Sequence, residues 1–416
     1  MRCRFEGRWS RFGAGNSAVV IYALLLGLLA NTSCVYFNTF YNAKKAFGQA
    51  EKARAKQERE AFAQGRVLER EEMRSSGLAK PLYEKAAQKA SRVLEKYKES
   101  ELIDDAMFLM GRAFYWQGDY LSAVQSFRDL EKNFPESEFY DRTLYWRALS
   151  HEAQNLDNLA TPIYRTLFEG GRENIAARAG LRLGEIAFGA EDYVVAIQEY
   201  RATLEAFPDT ELRAELWLRL GEAIFALEDE SRYDEALEAF ARVLEEKPTI
   251  EMEYRARLST GRLLDMRGDS GEALQTYIHL LEESRFRPFE GQTRILIGQY
   301  YQENGQLDRA LEEFGQVRDD FPQTPSSAMA LYRTGLLYLR GFGESERGAE
   351  YFEEAKREKG GSEASKLAQE MLGYLAQLKQ HTDRIHQADS LVATPAGGVP
   401  VVSPAADSLG GEADSL

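Results

Sequence analysis

The chain has 416 residues, of which 52 are basic and 67 acidic, giving a formal net charge of −15. That balance argues against a protein that holds a phosphate backbone by electrostatics, while 44% apolar and 11% aromatic residues are ample for a core. Two cysteines and four histidines leave no material for a disulfide framework or a Cys/His metal cage.

Residues 1–33 read as an export signal. Arg2, Arg4, Arg8 and Arg11 against the single acid Glu6 make a positive start, and Ala18–Ala30 is a thirteen-residue apolar run. A bilayer span needs roughly 20 apolar residues, so a cleaved signal is favoured over a permanent transmembrane helix. Thr32 and Ser33 then lead straight to Cys34. Small residues before a cysteine at the end of an apolar run resemble the bacterial lipobox, in which the cysteine is diacylated and becomes the first residue. That resemblance makes Cys34 the lipid attachment point, although Asn31 stands where the pattern carries Leu. The alternative is a secreted protein or an uncleaved anchor. Leu28 and Asn31 hold the −3 positions for cleavage after Ala30 and after Ser33, which spoils an ordinary A-x-A-like site and favours lipidation. Val35 after the cysteine implies, by bacterial sorting rules, the outer membrane. Tyr36, Phe37, Phe40 and Tyr41 either lie among lipid headgroups or pack onto the first helices.

From about residue 104 the chain repeats itself. Gly111, Ala148, Gly184, Gly221, Gly261, Gly298 and Gly335 are spaced 37, 36, 37, 40, 37 and 37. At fixed steps after these anchors come a small residue, an aromatic and often a proline. Gly111 is followed by Ala123, Phe127 and Pro135; Gly184 by Ala196, Tyr200 and Pro208; Gly221 by Ala236, Phe240 and Pro248 after three inserted residues; Gly298 by Ala310, Phe314 and Pro322. In the last copy one residue is inserted before Gly348. Apolar residues at i, i+3, i+4 and i+7 predict two amphipathic helices per unit, closed by proline. Small anchors let the two helix axes approach, and the aromatic is expected to fill the gap of the next repeat.

These residues resemble the tetratricopeptide repeat, an αα-hairpin with a pattern of Trp/Leu, Gly/Ala, Tyr, Ala, Phe, Ala and Pro; Leu216–Gly221 shows its Trp and Leu-Gly elements nearly whole. The resemblance implies an all-α fold, a right-handed superhelix (α-solenoid) of about seven hairpins with flanking helices. The expected organisation is a signal at 1–33, an anchor and helical pair at 34–103, repeats at 104–361, a capping helix at 362–387 and a disordered acidic tail at 388–416. It also implies a concave groove for partner proteins, placing Phe108, Arg112, Tyr115, Arg142, Tyr145, Arg178, Glu185, Arg255 and Arg262 on the groove stripe. A row of Arg112, Arg142 and Arg178 would select acidic or carboxylate-bearing peptide.

No phosphate loop, HExxH, CxxC or GxSxG occurs, and His151, His279, His381 and His386 read as surface or boundary residues. The chain therefore reads as a non-enzyme without cofactor or metal. Signal, cysteine and repeats of the type Ala113–Leu149 together resemble the BamD-like outer-membrane lipoproteins, with seven repeats against that family's five. The resemblance implies a scaffold on the periplasmic face of the outer membrane that binds periplasmic or outer-membrane proteins and no nucleic acid. A pilotin or assembly lipoprotein of a secretion or pilus system, and a soluble periplasmic adaptor, stand as alternatives.

Overall fold

The computed structural model describes residues 15–63, 77–97 and 100–393, and it divides into two compact units, Met1–Thr293 and Arg294–Leu416. Among the described residues the chain is entirely helical, a solenoid of repeated helical hairpins. In the first unit, α1 (Gly15–Ala63) and α2 (Lys80–Lys96) form a leading pair. Five hairpins follow: α3 (Ile103–Gln117) with α4 (Tyr120–Asn133), α5 (Tyr140–Glu152) with α6 (Asp157–Gly170), α7 (Glu173–Gly189) with α8 (Tyr193–Ala206), α9 (Arg213–Ala226) with α10 (Tyr233–Glu245), and α11 (Ile250–Met266) with α12 (Ser270–Glu282). The helix α13 (Glu290–Glu303) crosses the division; the second unit continues with α14 (Leu307–Asp320), α15 (Pro325–Leu336), α16 (Ser345–Glu358) and α17 (Glu363–Ala393).

Local chemistry sets the breaks. The turn inside each hairpin but the last passes through one left-handed residue seven positions after the anchor; in the last it is Gly343, eight positions after Gly335. Gly118 takes it in α3–α4 (φ 82°), where no Cβ opposes it. Asn155, Glu191 and Glu228 hold the same step in the next three hairpins at φ 58°, 61° and 54°, a strained conformation for a side-chain-bearing residue. Asp119 and Asp192 then start the second helices by accepting from the backbone N–H groups of Ser122 and Val195. Proline closes them: Pro135, Pro208 and Pro322 each come two residues after the last helical position of α4, α8 and α14. Both sequence insertions are absorbed locally. The three extra residues of the fourth hairpin form a 3-10 turn at Glu230–Arg232, and the extra residue of the last becomes a π-helical turn at Leu337–Phe342.

In every hairpin but the one anchored on Ala148, the packing rests on one contact. A Cβ built on Gly111 would stand 2.5 Å from the Phe127 ring, and one on Gly221 would stand 2.7 Å from Phe240. Tyr200 lies over Gly184, Tyr277 over Gly261, Phe314 over Gly298 and Phe352 over Gly335 in the same way. The aromatic thus fills the gap of its own hairpin, not that of the next repeat. Glycine on the first helix leaves bare backbone, and the ring from the facing helix lies directly on it. Ala123, Ala196, Ala236 and Ala310 are fully buried beside these contacts, and successive helices pack in chain order through each unit.

At the N-terminal end, alanines again make the seam: Ala43, Ala50, Ala86 and Ala90 have no exposed surface. Phe40 packs with Val93 and Ala106, whereas Tyr41 is exposed; the side chains of Tyr36 and Phe37 lie outside those described. So does that of Cys34, whose backbone belongs to α1. Residues 1–14 of the expected signal and residues 394–416 of the expected tail are likewise outside the described residues, while α17 runs six residues past the expected end of the capping helix. Among the described residues no helix is long and apolar enough to cross a membrane.

Two substitutions test this packing. Gly221→Ala pushes a methyl into the buried Phe240 ring and should cost about 1–3 kcal/mol in chemical denaturation. The control Gly189→Ala, with nothing within 4 Å of the new Cβ, should be neutral or gain up to about 1 kcal/mol. Glu191→Gly relieves a left-handed side chain worth roughly 1–2 kcal/mol, offset in part by glycine's entropy, so the melting temperature should rise.

Candidate partner-binding face

The first helices of neighbouring hairpins touch along the first unit, α5 with α7, α7 with α9 and α9 with α11. Residues at a constant step from the anchor therefore meet from one hairpin to the next. Two residues before Gly184 and Gly221 stand Arg182 and Arg219; one residue after them stand Glu185 and Glu222. Within each helix these are i, i+3 ion pairs: Arg182 with Glu185, and Arg219 with Glu222 at 3.2 Å. Between helices the same groups bridge again. Arg182 Nε donates to Glu152 at 3.1 Å, Arg219 reaches Glu185 at 3.3 Å, and Arg255 Nε donates to Glu222 at 3.0 Å. Arg255 also approaches Glu251 at 3.6 Å. The result is a continuous ladder of alternating charge from Glu152 on α5 to Glu251 on α11.

The ladder is partly buried. Arg182 is the deepest, its side chain only 9% exposed, and such charges are tolerated because carboxylates surround them. With three arginines and four glutamates, the surface is close to neutral despite the density of charge.

A different chemistry holds the first two hairpins. The Arg112 guanidinium lies 4.6 Å from the Phe47 ring and 5.0 Å from Trp146, in cation–π range. Its Nε is buried without a hydrogen-bond partner, and burial lowers its pKa against the opposing pull of Glu51. Tyr115 meets Trp146 edge-on at 5.1 Å and Phe108 stacks on Phe139 at 4.9 Å; both are buried. Arg142 lies 5.4 Å over Phe139, and Tyr145 meets Tyr164 edge-on at 5.7 Å.

The residues expected on the groove stripe thus divide three ways. Glu185 and Arg255 join the ladder. Phe108, Arg112, Tyr115, Arg142 and Tyr145 belong to the aromatic end, mostly as packing. Arg178 is drawn off to Glu211 at 2.6 Å, so Arg112, Arg142 and Arg178 stand in three different surroundings, and Arg262 is half-buried on α11. Sequence reasoning missed Arg182, Arg219, Glu222 and Glu251, although the tetrapeptide Arg-Leu-Gly-Glu recurs at 182–185 and 219–222. His151, expected at the surface or boundary, is buried with Nδ1 unpaired; burial, then Arg147 and Arg128, lowers its pKa and holds it neutral. Among the described residues no group of three or more His, Cys, Asp or Glu could hold a metal.

Family models described as tetratricopeptide repeat match residues 105–137, 181–249, 226–288 and 295–363. The α5–α6 hairpin, anchored on Ala148 and lacking the proline, falls between these spans. No curated protein matches the chain. Similar solved structures include a tetratricopeptide repeat protein from Parabacteroides merdae, at 20% identity over 66% of this chain and 98% of that one, TM-score 0.49. The C-terminal part of a repeat-containing protein from Cytophaga hutchinsonii has 18% identity over 56% of this chain and 89% of that one, TM-score 0.45. Yeast Tom70 has 15% identity over 76% of this chain and 63% of that one, TM-score 0.48.

The ladder predicts a graded response to neutralisation. Glu152→Gln takes a carboxylate from the buried Arg182 and should cost about 1–3 kcal/mol by denaturant titration. Glu211→Gln, at a carboxylate 74% exposed, should cost less than about 1 kcal/mol.

Proposed function

The chain belongs to the tetratricopeptide-repeat family, and on that premise we propose that it is a non-catalytic protein-binding scaffold of the bacterial envelope, resembling the BamD-like outer-membrane lipoproteins. Lipid on Cys34 holds it at the periplasmic face of the outer membrane. The observation that carries this reading is a conjunction in one chain. A positive start and thirteen apolar residues end at small residues and a cysteine, and behind them comes an array of hairpins.

Acyl chains contribute about 0.8 kcal/mol per buried methylene, so a lipidated Cys34 needs no membrane-spanning helix to remain bound. The array works passively. Each hairpin is fixed by its buried ring, so the first helices present a pre-ordered surface and little entropy is lost when a partner docks. The charge ladder asks for a partner with groups of both signs, because an all-acidic segment would meet Glu152, Glu185, Glu222 and Glu251 as well as the arginines. The aromatic end supplies the exposed Arg142, which suits a carboxylate.

Membrane fractionation tests the anchor. The native chain should sediment with the outer membrane and Cys34→Ala should be released; unchanged fractionation of the variant contradicts lipid attachment. Crosslinked capture from envelope extracts tests the task, with a barrel-assembly subunit as the expected catch and secretion or pilus components as the contrary one.

A further inference from the structure

The helix α1 reaches further than the pair it forms with α2. The apolar cluster that it shares with α2 and α3 ends at Ala53, and Arg54 closes that cluster by lying 4.2 Å over the Trp116 ring near the end of α3. The last stretch of the helix, residues 55–63, lies beyond it. That stretch is not bare: Ala61 is only 6% exposed and Phe62 is half-buried.

The contact comes from the far end of the same unit. Phe62 meets Phe289 edge-on, with ring centroids 5.3 Å apart. Phe289 is itself fixed: it stacks on Tyr254 of α11 at 4.1 Å, and its carbonyl accepts from Thr293 Oγ1 at 3.2 Å. In the chain, all of α2 to α12 lies between the two rings. The first helices touch in order, α1 with α3, α3 with α5, and on through α7 and α9 to α11. Through Phe289 on Tyr254 that row returns to α1.

We propose that the tip of α1 is a clasp: Phe62 on Phe289 holds the row of first helices closed, and its release lets the hairpins fan apart as a set. In an array whose hairpins touch only their neighbours, small rotations at each interface add up along the row. A contact from one end of the five hairpins to the other removes that freedom at once, because the sum of the rotations is then fixed. Two rings set edge to face shift an equilibrium by only about 2- to 12-fold beyond the area they bury. That favours the closed row and still lets a bound partner reverse it. The consequence for binding rests on the ladder being the docking face. Closed and open rows present Glu152 to Glu251 at different spacings, so a partner fitted to the open spacing releases the clasp.

A pulsed electron-spin distance measurement tests the clasp. Spin labels go on Arg59→Cys and Ser284→Cys, exposed positions on the two sides of the contact. The full-length chain carries Cys3→Ser and Cys34→Ser as well, so the labelled residues are its only thiols. Lipid and partner are both absent, so a failure here is separate from a failure of the anchor or of the docking face. The distance should be single and narrow. Phe62→Glu should replace it with a longer, broad distribution while the helical circular dichroism stays unchanged, since Phe62 lies outside the cluster that joins α1 to α2 and α3. Lys52→Glu, which also adds negative charge to α1 at an exposed position, should leave the distance narrow. A broad distribution before any change at Phe62, a distance unmoved by Phe62→Glu, or an equal opening by Lys52→Glu overturns the proposal.

Discussion

An aromatic ring lying on the bare backbone of a glycine organises this protein. The contact needs glycine on the first helix of a hairpin, because even one methyl would stand within bonding-clash distance of the ring. It also needs the ring itself, which burial makes worth several kcal/mol when removed. Phe127, Tyr200, Phe240, Phe314 and Phe352 are almost wholly buried there. Since ring and glycine belong to the same hairpin, each unit acquires its geometry locally, and neighbouring hairpins then stack pre-formed faces. That is the arrangement expected of a quasi-one-dimensional repeat protein. Where Ala148 replaces glycine, Tyr164 remains buried, and the hairpin gains support from the aromatic packing around Trp146 and Tyr145.

The regular spacing of the hairpins is what lets the charge ladder exist. Arg182 and Arg219 hold identical places relative to their glycines, so each can reach a glutamate on its own helix and one on the helix before. Ser259 occupies the equivalent place on α11, and Arg255, one helical turn earlier on the same face, makes the bridge to Glu222 instead. A bridge that outlasts the replacement of its arginine by moving one turn is constrained by the position of the face, not by sequence spacing alone.

The same distinction explains what could be read from the sequence. The hairpins, their turns and their prolines are written in local signals, such as Gly118 before Asp119 or Phe134 before Pro135, and the structure follows them closely. The seat of the aromatic was not legible. Sequence spacing shows that a ring recurs, while its rotamer decides whether it points into its own hairpin or the next. The fate of the arginines was hidden for a related reason: Arg178 and Arg255 find their carboxylates 33 residues away, across a hairpin boundary that a single-helix projection does not cross. His151 reads as a polar boundary residue on α5 by type, yet that helix is enclosed on more sides than its weak apolar pattern suggests.

Ion pairs between hairpins extend well beyond the ladder. Arg165 with Glu199 and Arg201 with Glu235 link the second helices of neighbouring hairpins, 34 residues apart in the chain, while Arg213 with Glu246 and Arg285 with Glu253 tie the start of a hairpin to the segment that leaves it. Most lie at partly exposed positions, where a single pair contributes at most about 1 kcal/mol, so they cannot be the main source of stability. Their effect is on register. A hairpin displaced along its neighbour would set these carboxylates against the wrong groups, and like charges brought together cost as much as the pairs gain. Rings on glycines therefore stabilise each hairpin, and charges align one hairpin on the next. Many of its cations are thereby committed to alignment, and among the arginines expected on the groove stripe Arg142 is the one that stays exposed over an aromatic ring, at 5.4 Å from Phe139.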